Sequence, residues 1–216
     1  MKLESDGILI SIRPLNERDG IARIFTHEFG ILSGVLRGSV ITKKNKPLIG
    51  QIGNMTWNAR LDSQLGTFHW ECERNLSAPL MLDNKKLSAM NAAFEILLTL
   101  LPERQEYRVL YDETIALMNE LKSTPQDAYL RWEIILLQEL GYALDLSKCS
   151  GCGKVENLNW LSPRTGRAVC DDCARPYANK LYKLPLNLNI TLRFLESICM
   201  QQGTQIPMMR QMLKML

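Results

Sequence analysis

Hydrophobic residues change their spacing near residue 80 of this 216-residue chain. Before that point they alternate with other residues, as Ile8 and Ile10 do, and a period of two is typical of β-strands. After it they recur every three or four positions, as Leu87, Met90 and Phe94 do, and that spacing is typical of amphipathic helices. The chain is therefore expected to be an α+β protein with more than one domain, its strands preceding its helices.

Five short strands are predicted within the first 75 residues: GILISI, DGIARIFT, GILSGVLRG, GNMTWNARL and GTFHWECE. In the first of them, Ile8, Ile10 and Ile12 should share one face. Five strands with no intervening helix favour a small closed barrel, and a five-stranded barrel of this size is an OB-fold. Spacing does not give strand order, so an SH3-like barrel remains an alternative. Of the alternating aromatic residues, at least two should lie in the core: Trp57, Phe68 and Trp70.

Helical spacing fills most of the rest of the chain. The first helix should end before Pro102, because proline cannot continue a helix. A second runs through YRVLYDETIALMNEL. A third has Thr124 as its N-cap, Pro125 at its first position and Gly141 at its end, and its apolar interior favours a central place in a bundle. We therefore predict a barrel over residues 1–78 and a helical domain over 79–216, with an inserted metal-binding module at about 148–175.

Two Cys-x-x-Cys pairs interrupt the helical part, and their spacing matches structural zinc sites: Cys149, Cys152, Cys170 and Cys173. Four thiolate ligands leave no open position for water or substrate, so one structural Zn²⁺ per chain is predicted rather than a hydrolytic metal. Two redox pairs or an iron–sulfur cluster are the alternatives. A redox pair normally lies at the start of a helix that follows a strand, and the sequence around neither pair indicates that arrangement. The two remaining cysteines, Cys72 and Cys199, are expected to be small buried residues.

Charge is distributed unevenly along the chain. Residues 76–147 contain six basic and eleven acidic residues, whereas residues 29–61 contain five basic residues and no acidic one. A local positive potential of this kind suits a polyanion, and phosphate neutralisation by Lys and Arg makes such binding sensitive to salt. The candidate contacts to such a polyanion are Arg37, Lys43, Lys44, Lys46 and Arg60, and the family resemblance given below implies that the polyanion is DNA. The alternative is a solvated loop without a ligand.

Catalysis and membrane insertion are not indicated by the residues. The densest apolar run, FEILLTLL, is too short to span a bilayer, and acidic residues stand where a signal peptide would be apolar. A cytoplasmic location is expected. His27 and His69 are the only histidines, and neither lies in a spacing typical of a catalytic triad or a metal hydrolase. The residues therefore show no catalytic constellation.

Several sequence segments of this chain resemble the RecO family of bacterial recombination-mediator proteins. DGILISIRPLNERDGIARIFTHEFG is similar to the opening strands of that family, and YLRWEIILLQELGYALDLSKCSGCG to its central helix and the start of its cysteine module. The most specific segments of this resemblance are Leu36-Arg37-Gly38, Trp132-Glu133 and Leu140-Gly141-Tyr142. The resemblance covers nearly the whole chain, and because some members lack the cysteines, it implies that zinc is a structural variation.

The resemblance implies a non-enzymatic DNA repair and homologous recombination factor. Such a protein binds single- and double-stranded DNA, anneals complementary strands, pairs with RecR, and helps load RecA onto DNA coated with the single-stranded DNA-binding protein (SSB). Two alternatives of other classes are an RNA-binding protein with an OB-fold and a zinc ribbon, and a zinc-dependent redox enzyme.

The resemblance also implies docking of the acidic C-terminal tail of SSB on the helical domain. A peptide carboxylate needs a guanidinium at the mouth of an apolar groove. Arg131 is the candidate because it is the only basic residue within the central helix, with Met90 and Phe94 as candidate groove walls. The alternative is that Arg131 pairs with a neighbouring Glu, and for Met90 and Phe94 we favour ordinary core positions.

Overall fold

The computed structural model describes residues 1–41, 46–61 and 64–213. Its N-terminal part consists of five strands: β1 (Lys2–Pro14), β2 (Gly20–Thr26), β3 (Gly30–Leu36), β4 (Gln51–Asn58) and β5 (Gly66–Asn75). They close into a barrel in the order β1-β2-β3-β5-β4, with β4 returning to pair with β1. All pairings are antiparallel except the short parallel contact of β3 with β5. This is the OB-fold arrangement, and the predicted fold class is confirmed.

Strand β1 is buried on both faces. Ile8 and Ile10 pack into the core shared with the helices, whereas Leu9 between them faces the barrel interior. A bulge between Leu9 and Ser11 shifts the register, and Ile12 consequently packs against the barrel interior. The prediction that Ile8, Ile10 and Ile12 share a face is therefore correct for the first two and wrong for Ile12.

The helices are α1 (Asn84–Leu100), α2 (Arg108–Glu120), α3 (Pro125–Glu139), α5 (Leu188–Gln201) and α6 (Met208–Met212), with the short α4 described below. Capping side chains mark the start of α1 and α5, whereas Thr124 stands at the predicted N-cap position of α3 without a side-chain capping hydrogen bond. The Asp83 carboxylate accepts hydrogen bonds from the first backbone N–H groups of α1, and Asn187 does the same for α5. Gly141 ends α3 with a φ of +84°, a conformation that glycine adopts without strain.

Barrel and helices pack around one continuous hydrophobic core. The outward face of the barrel contributes Ile8, Ile10, Phe25, Ile31 and Ile52, and the helices cover it. A second, smaller core fills the barrel interior. The predicted domain boundary after residue 78 falls at a 3₁₀ turn, Ala78–Leu80. Since the two parts share a core, their division into separate domains stays a prediction.

The segment between α3 and α5 forms a small module, which we call the cysteine module (residues 142–187). It contains a three-stranded sheet in the order β7-β6-β8, formed by β6 (Trp160–Leu161), β7 (Ala168–Val169) and β8 (Tyr182–Lys183), and a one-turn helix α4 (Asp171–Ala174). Its separate cluster of buried residues is Cys149, Val169, Cys170 and Ala174. No helix in the described residues has the length and hydropathy of a membrane span.

Candidate metal centre and nucleic-acid interface

The first cysteine pair lies on a backbone loop and the second at the start of α4, and hydrogen bonds hold the two side by side. In the first, the N–H of Gly153 donates to the carbonyl of Cys149 at 2.9 Å, and Gly153 adopts a φ of +78°. A Cβ at Gly151 would stand 3.1 Å from the sulfur of Cys173, so glycine keeps this loop clear of the second pair. The N–H of Ser150 donates to Ala168 on β7, which places the first loop against the strand that leads to Cys170.

The four cysteine sulfurs converge. They all lie within 4.8 Å of one another, and the sulfurs of Cys152 and Cys170 are 3.6 Å apart. Four ligands at ~2.3 Å from a central ion would be separated by about 3.8 Å in a regular tetrahedron. The sulfur of Cys149 also accepts hydrogen bonds from the N–H groups of Gly151 and Cys170, at 3.4 and 3.3 Å. The residues therefore fit a tetrahedral metal ion.

Two thiols of this group, those of Cys149 and Cys173, have pKa values shifted in opposite directions. The N–H of Cys170, together with those of Cys152 and Gly151, lowers the pKa of the Cys149 thiol to about 6. The pKa of Cys173 is raised to about 12, because its thiol is hydrogen-bonded to Cys152, Cys170 and Cys149. Four sulfurs this close cannot all ionise without a cation, and a divalent cation at their centre would favour all four thiolates.

One element of the argument against a redox pair is wrong. Cys170 and Cys173 do follow a strand and open a helix, because α4 begins at Asp171 directly after β7. The periodicity of the sequence could not show this, since β7 has two residues and α4 a single turn. Convergence of all four sulfurs is instead the observation that favours a metal over two separate thiol pairs.

The two lone cysteines differ from each other. Cys199 is buried in the helical core, as expected. Cys72 is exposed, and the expectation that it is buried is wrong. The reason is that β3 accompanies β5 only as far as the Leu36–Phe68 pair, so β5 continues toward Cys72 without β3 beside it.

Of the candidate DNA contacts, the structure describes Arg37, Lys46 and Arg60, and all three are exposed. Arg37 follows β3 and Lys46 precedes β4, so both lie in the β3–β4 connection. They lie beside neighbouring surface clefts that share Ser39 as a wall. Arg60 lies in the β4–β5 connection instead. Lys43 and Lys44 lie outside the described residues. The structure therefore places Arg37 and Lys46 near each other, and the assignment of all five to DNA stays a prediction.

The aromatic residues of the barrel belong largely to its core. Trp57 and Phe68 are buried, and Trp70 packs against the same cluster while remaining half-buried. The expectation that at least two of the three are core residues is confirmed. The guanidinium of Arg104, from the α1–α2 connection, lies 4.8 Å from the centre of the Trp57 ring. Trp57 is therefore covered on its ring face and is not free to stack on a base.

Arg131 forms two ion pairs with α2. Its guanidinium lies 3.4 Å from a carboxylate oxygen of Glu113 and 2.9 Å from one of Glu120, and its side chain is 46% exposed. Met90 and Phe94 are buried core residues, as favoured from the sequence. Pairing with Glu, the alternative considered for Arg131, is thus observed, and its role in binding a partner stays a prediction.

Sequence reasoning missed a buried ionic network between α3, α5 and α6. Both carboxylate oxygens of Glu133 accept hydrogen bonds from Arg210, at 2.5 and 2.8 Å, and the hydroxyl of Thr191 donates to the same carboxylate at 2.5 Å. Arg210 also donates to the carbonyl of Leu188. All three side chains are fully buried. The signal was a charged residue with apolar neighbours on two different helices, but 77 residues separate the partners.

Comparison with known proteins assigns both parts of the chain to one family. The family models "Recombination protein O N terminal" and "Recombination protein O C terminal" match residues 1–73 and 81–214. A protein of Cereibacter sphaeroides named DNA repair protein RecO is 39% identical over 191 residues, which cover 87% of this chain and 79% of the relative. Proteins of the same name from Ruegeria sp. and Dinoroseobacter shibae are 37% and 39% identical, covering 86% and 83% of this chain and 78% and 76% of the relatives. This chain therefore belongs to the RecO (recombination protein O) family.

Proposed function

We propose that the protein is a DNA repair and recombination mediator that binds single- and double-stranded DNA, anneals complementary strands and acts without catalysis. The match to the family over nearly the whole chain carries this proposal, since the curated relatives are named DNA repair proteins. The proposal goes further than the name of the relatives, because it assigns DNA binding and strand annealing to this chain.

The barrel supplies the DNA-binding surface in this proposal. Arg37 and Lys46 are exposed in the β3–β4 connection, and residues 29–61 contain no acidic side chain. Each cation that neutralises a phosphate releases a bound counterion, so the affinity should fall steeply with salt. The helical region between residues 76 and 147 has an excess of acidic residues and would repel the phosphate backbone.

The cysteine module serves as a zinc-stabilised structural element in this proposal. Four sulfur ligands at tetrahedral spacing are the donor set of structural zinc, and they leave no position for a reacting water. Cys149, Cys152, Cys170 and Cys173 would hold the ion. A redox role for these thiols predicts reversible oxidation without metal, which thiol titration in the presence of a chelator would detect.

Protein partners would bind the parts of the molecule that DNA does not use. We propose RecR as a direct partner, the C-terminal tail of SSB as a ligand of the helical part, and RecA as the protein whose loading results. A tail carboxylate at Arg131 would have to displace Glu113 or Glu120. Exposed ion pairs contribute only ~0–1 kcal/mol, so such an exchange is energetically accessible.

Strand annealing on coated DNA is the most direct test of the proposed function. Complementary single strands are coated with the cognate SSB, and duplex formation is followed with and without the protein by fluorescence transfer between labels on the two strands. We expect the protein to accelerate duplex formation. Competition with RNA of the same sequence is measured in parallel, and a strong preference for RNA together with no annealing would favour the RNA-binding alternative.

A further inference from the structure

A cleft opens on the surface of the cysteine module. It lies between the first cysteine loop, the turn that joins β6 to β7, and the 3₁₀ segment Arg175–Lys180. Its volume is about 550 Å³, which is in the range of ligand pockets. The side chains that decide its chemistry are Pro163, Arg164, Val169, Tyr177, Lys180 and Leu181.

The inner wall of the cleft is apolar. Val169 belongs to the module's own cluster of buried residues, and Leu181 packs against that cluster. The ring of Tyr177 borders the cleft and is 58% exposed. Within the part of the chain that the structure describes, this side chain forms no ring contact and no hydrogen bond. An aromatic ring that the fold leaves uncovered beside an apolar wall is typical of a surface that binds a partner.

Two cations at the cleft have no anionic partner. Arg164 and Lys180 are exposed, and the side chain of neither forms an ion pair or a hydrogen bond within the described residues. By contrast, Lys154 and Arg175 of the same module both pair with Asp172. Among the described residues that line the cleft, none is acidic. The two cations are therefore available to carboxylates of a ligand.

The turn that carries Arg164 is ordered by its own backbone. The N–H of Gly166 donates to the carbonyl of Ser162 at 2.9 Å, and the N–H of Ser162 donates to the carbonyl of Arg167 at 2.9 Å. Gly166 has a φ of +65°, which glycine adopts without strain. Lys180 ends the 3₁₀ segment that follows α4. Both cations thus stand on ordered backbone, and a preformed site loses less conformational entropy when it binds.

The charge of the metal centre distinguishes between two classes of anionic ligand. Cys173 is part of the cleft wall, and four thiolates around a Zn²⁺ ion would carry about two net negative charges. A DNA strand, with a phosphate at every nucleotide, would place charge against this centre as well as against the two cations. A protein segment with one apolar side chain and few carboxylates can keep its charges at Arg164 and Lys180. The cleft therefore favours an acidic peptide over nucleic acid.

We propose that this cleft docks a short acidic segment of a protein partner. An apolar side chain of the segment contacts the inner wall and the ring of Tyr177, and carboxylates beside it pair with Arg164 and Lys180. The site is separate from Arg131, which lies on α3 and is paired with two glutamates. The inference goes beyond the proposed function, because it does not require DNA binding by the barrel.

NMR titration of the ¹⁵N-labelled protein tests the cleft, with a synthetic peptide that has one phenylalanine flanked on both sides by aspartates. We expect the peptide to shift amide resonances mainly within residues 150–181. Replacing its phenylalanine by alanine should weaken binding roughly tenfold, because an aromatic side chain then stays out of the cleft. Replacing its aspartates by asparagines should have an effect of similar size, through loss of charge-assisted hydrogen bonds.

The double variant Arg164→Ala, Lys180→Ala should also bind the peptide roughly tenfold more weakly. Its zinc content and melting temperature should equal those of the wild type, since neither side chain has a partner within the described residues. Lys154→Ala is the matched control, because Lys154 belongs to the same module and pairs with Asp172. This control should bind the peptide like the wild type.

Three results would overturn the docking site. The first is the absence of amide shifts within residues 150–181 at the highest soluble peptide concentration. The second is equal affinity of the aspartate and asparagine peptides, since binding would then not depend on the two cations. Oligodeoxythymidylate is titrated in parallel for the third: shifts at the cleft with the oligonucleotide and none with the peptide would assign the cleft to nucleic acid instead.

Discussion

The main body of the molecule and the cysteine module are stabilised in different ways. In the main body, barrel and helices bury one shared core, and β1 is packed on both of its faces. In the cysteine module, the strands β6, β7 and β8 have two residues each, and two of the four residues in its buried cluster are cysteines. We therefore expect hydrophobic burial to stabilise the main body and the module to depend on a metal ion held by its four cysteines.

Loss of one metal ligand should have the largest effect and should be confined to the module. We expect Cys152→Ser to abolish metal binding, because structural zinc supplies on the order of 10 kcal/mol of folding free energy in small zinc domains. Elemental analysis should find one zinc per wild-type chain and none in the variant. Limited proteolysis should then cut within residues 142–187 while leaving the barrel intact.

Cys72→Ser is the matched control for this experiment, because Cys72 is exposed and lies outside the module. It should keep the metal and the wild-type proteolysis pattern. A wild-type protein without zinc, or one with iron and sulfide, would contradict the structural zinc site. Acid should release the ion, because the ligands bind it as thiolates and protons compete for them as the pH falls.

Breaking the buried network should destabilise the main body and spare the module. Arg210→Met removes the partner of Glu133 and leaves a carboxylate buried without its cation. We expect the free energy of unfolding to fall by about 3–5 kcal/mol, measured by urea denaturation. The double variant Arg210→Met, Glu133→Leu should recover much of that loss, since an apolar pair of similar volume replaces the ion pair.

Arg193→Met provides the comparison for the network, because Arg193 pairs with Glu196 on the surface of α5. Its effect should be within ~1 kcal/mol, as for other exposed pairs. A loss of zinc in Arg210→Met would show that module and main body unfold together. That result would remove the distinction between the two regions.

Arg131→Ala should produce the smallest change in stability and a selective change in binding. Its ion pairs are half-exposed, so we expect a stability change within ~1 kcal/mol. If the tail of SSB docks there, the affinity for the tail peptide should fall roughly tenfold through loss of charge-assisted hydrogen bonds. Fluorescence anisotropy with the labelled peptide measures this, with binding of naked DNA measured alongside. Equal loss of both would mean an unfolded helical part, and no loss of either would rule Arg131 out.

Local signals in the sequence were sufficient to predict most of the secondary-structure elements. The change of period near residue 80 separates strands from helices, Pro125 and Gly141 mark the ends of α3, and the cysteine spacing predicts the convergence of the four sulfurs. Each of these depends on residues close together in the chain, where backbone geometry restricts what the side chains can reach.

Features that depend on contacts between distant residues could not be predicted from the sequence pattern. The bulge that turns Ile12 inward depends on the pairing of β1 with β2, and the exposure of Cys72 on where β3 leaves β5. Burial of β1 on both faces requires the helices to dock on the barrel. The hydrophobic pattern and the local propensities contain no information about contacts between residues that are distant in the sequence, because tertiary packing determines them.

The salt dependence of single-stranded DNA binding tests most directly the claim that the barrel, and not the cysteine module, provides the DNA-binding surface. Two variants are compared with the wild type: the triple change of Lys43, Lys44 and Lys46 to Ala, and Cys152→Ser. We predict that the slope of log affinity against log salt falls by about two units in the triple variant, since each of three lost phosphate contacts on a single strand contributes about 0.7, and is unchanged in Cys152→Ser. An unchanged slope in the triple variant together with a reduced slope in Cys152→Ser would contradict this account and place the surface on the module.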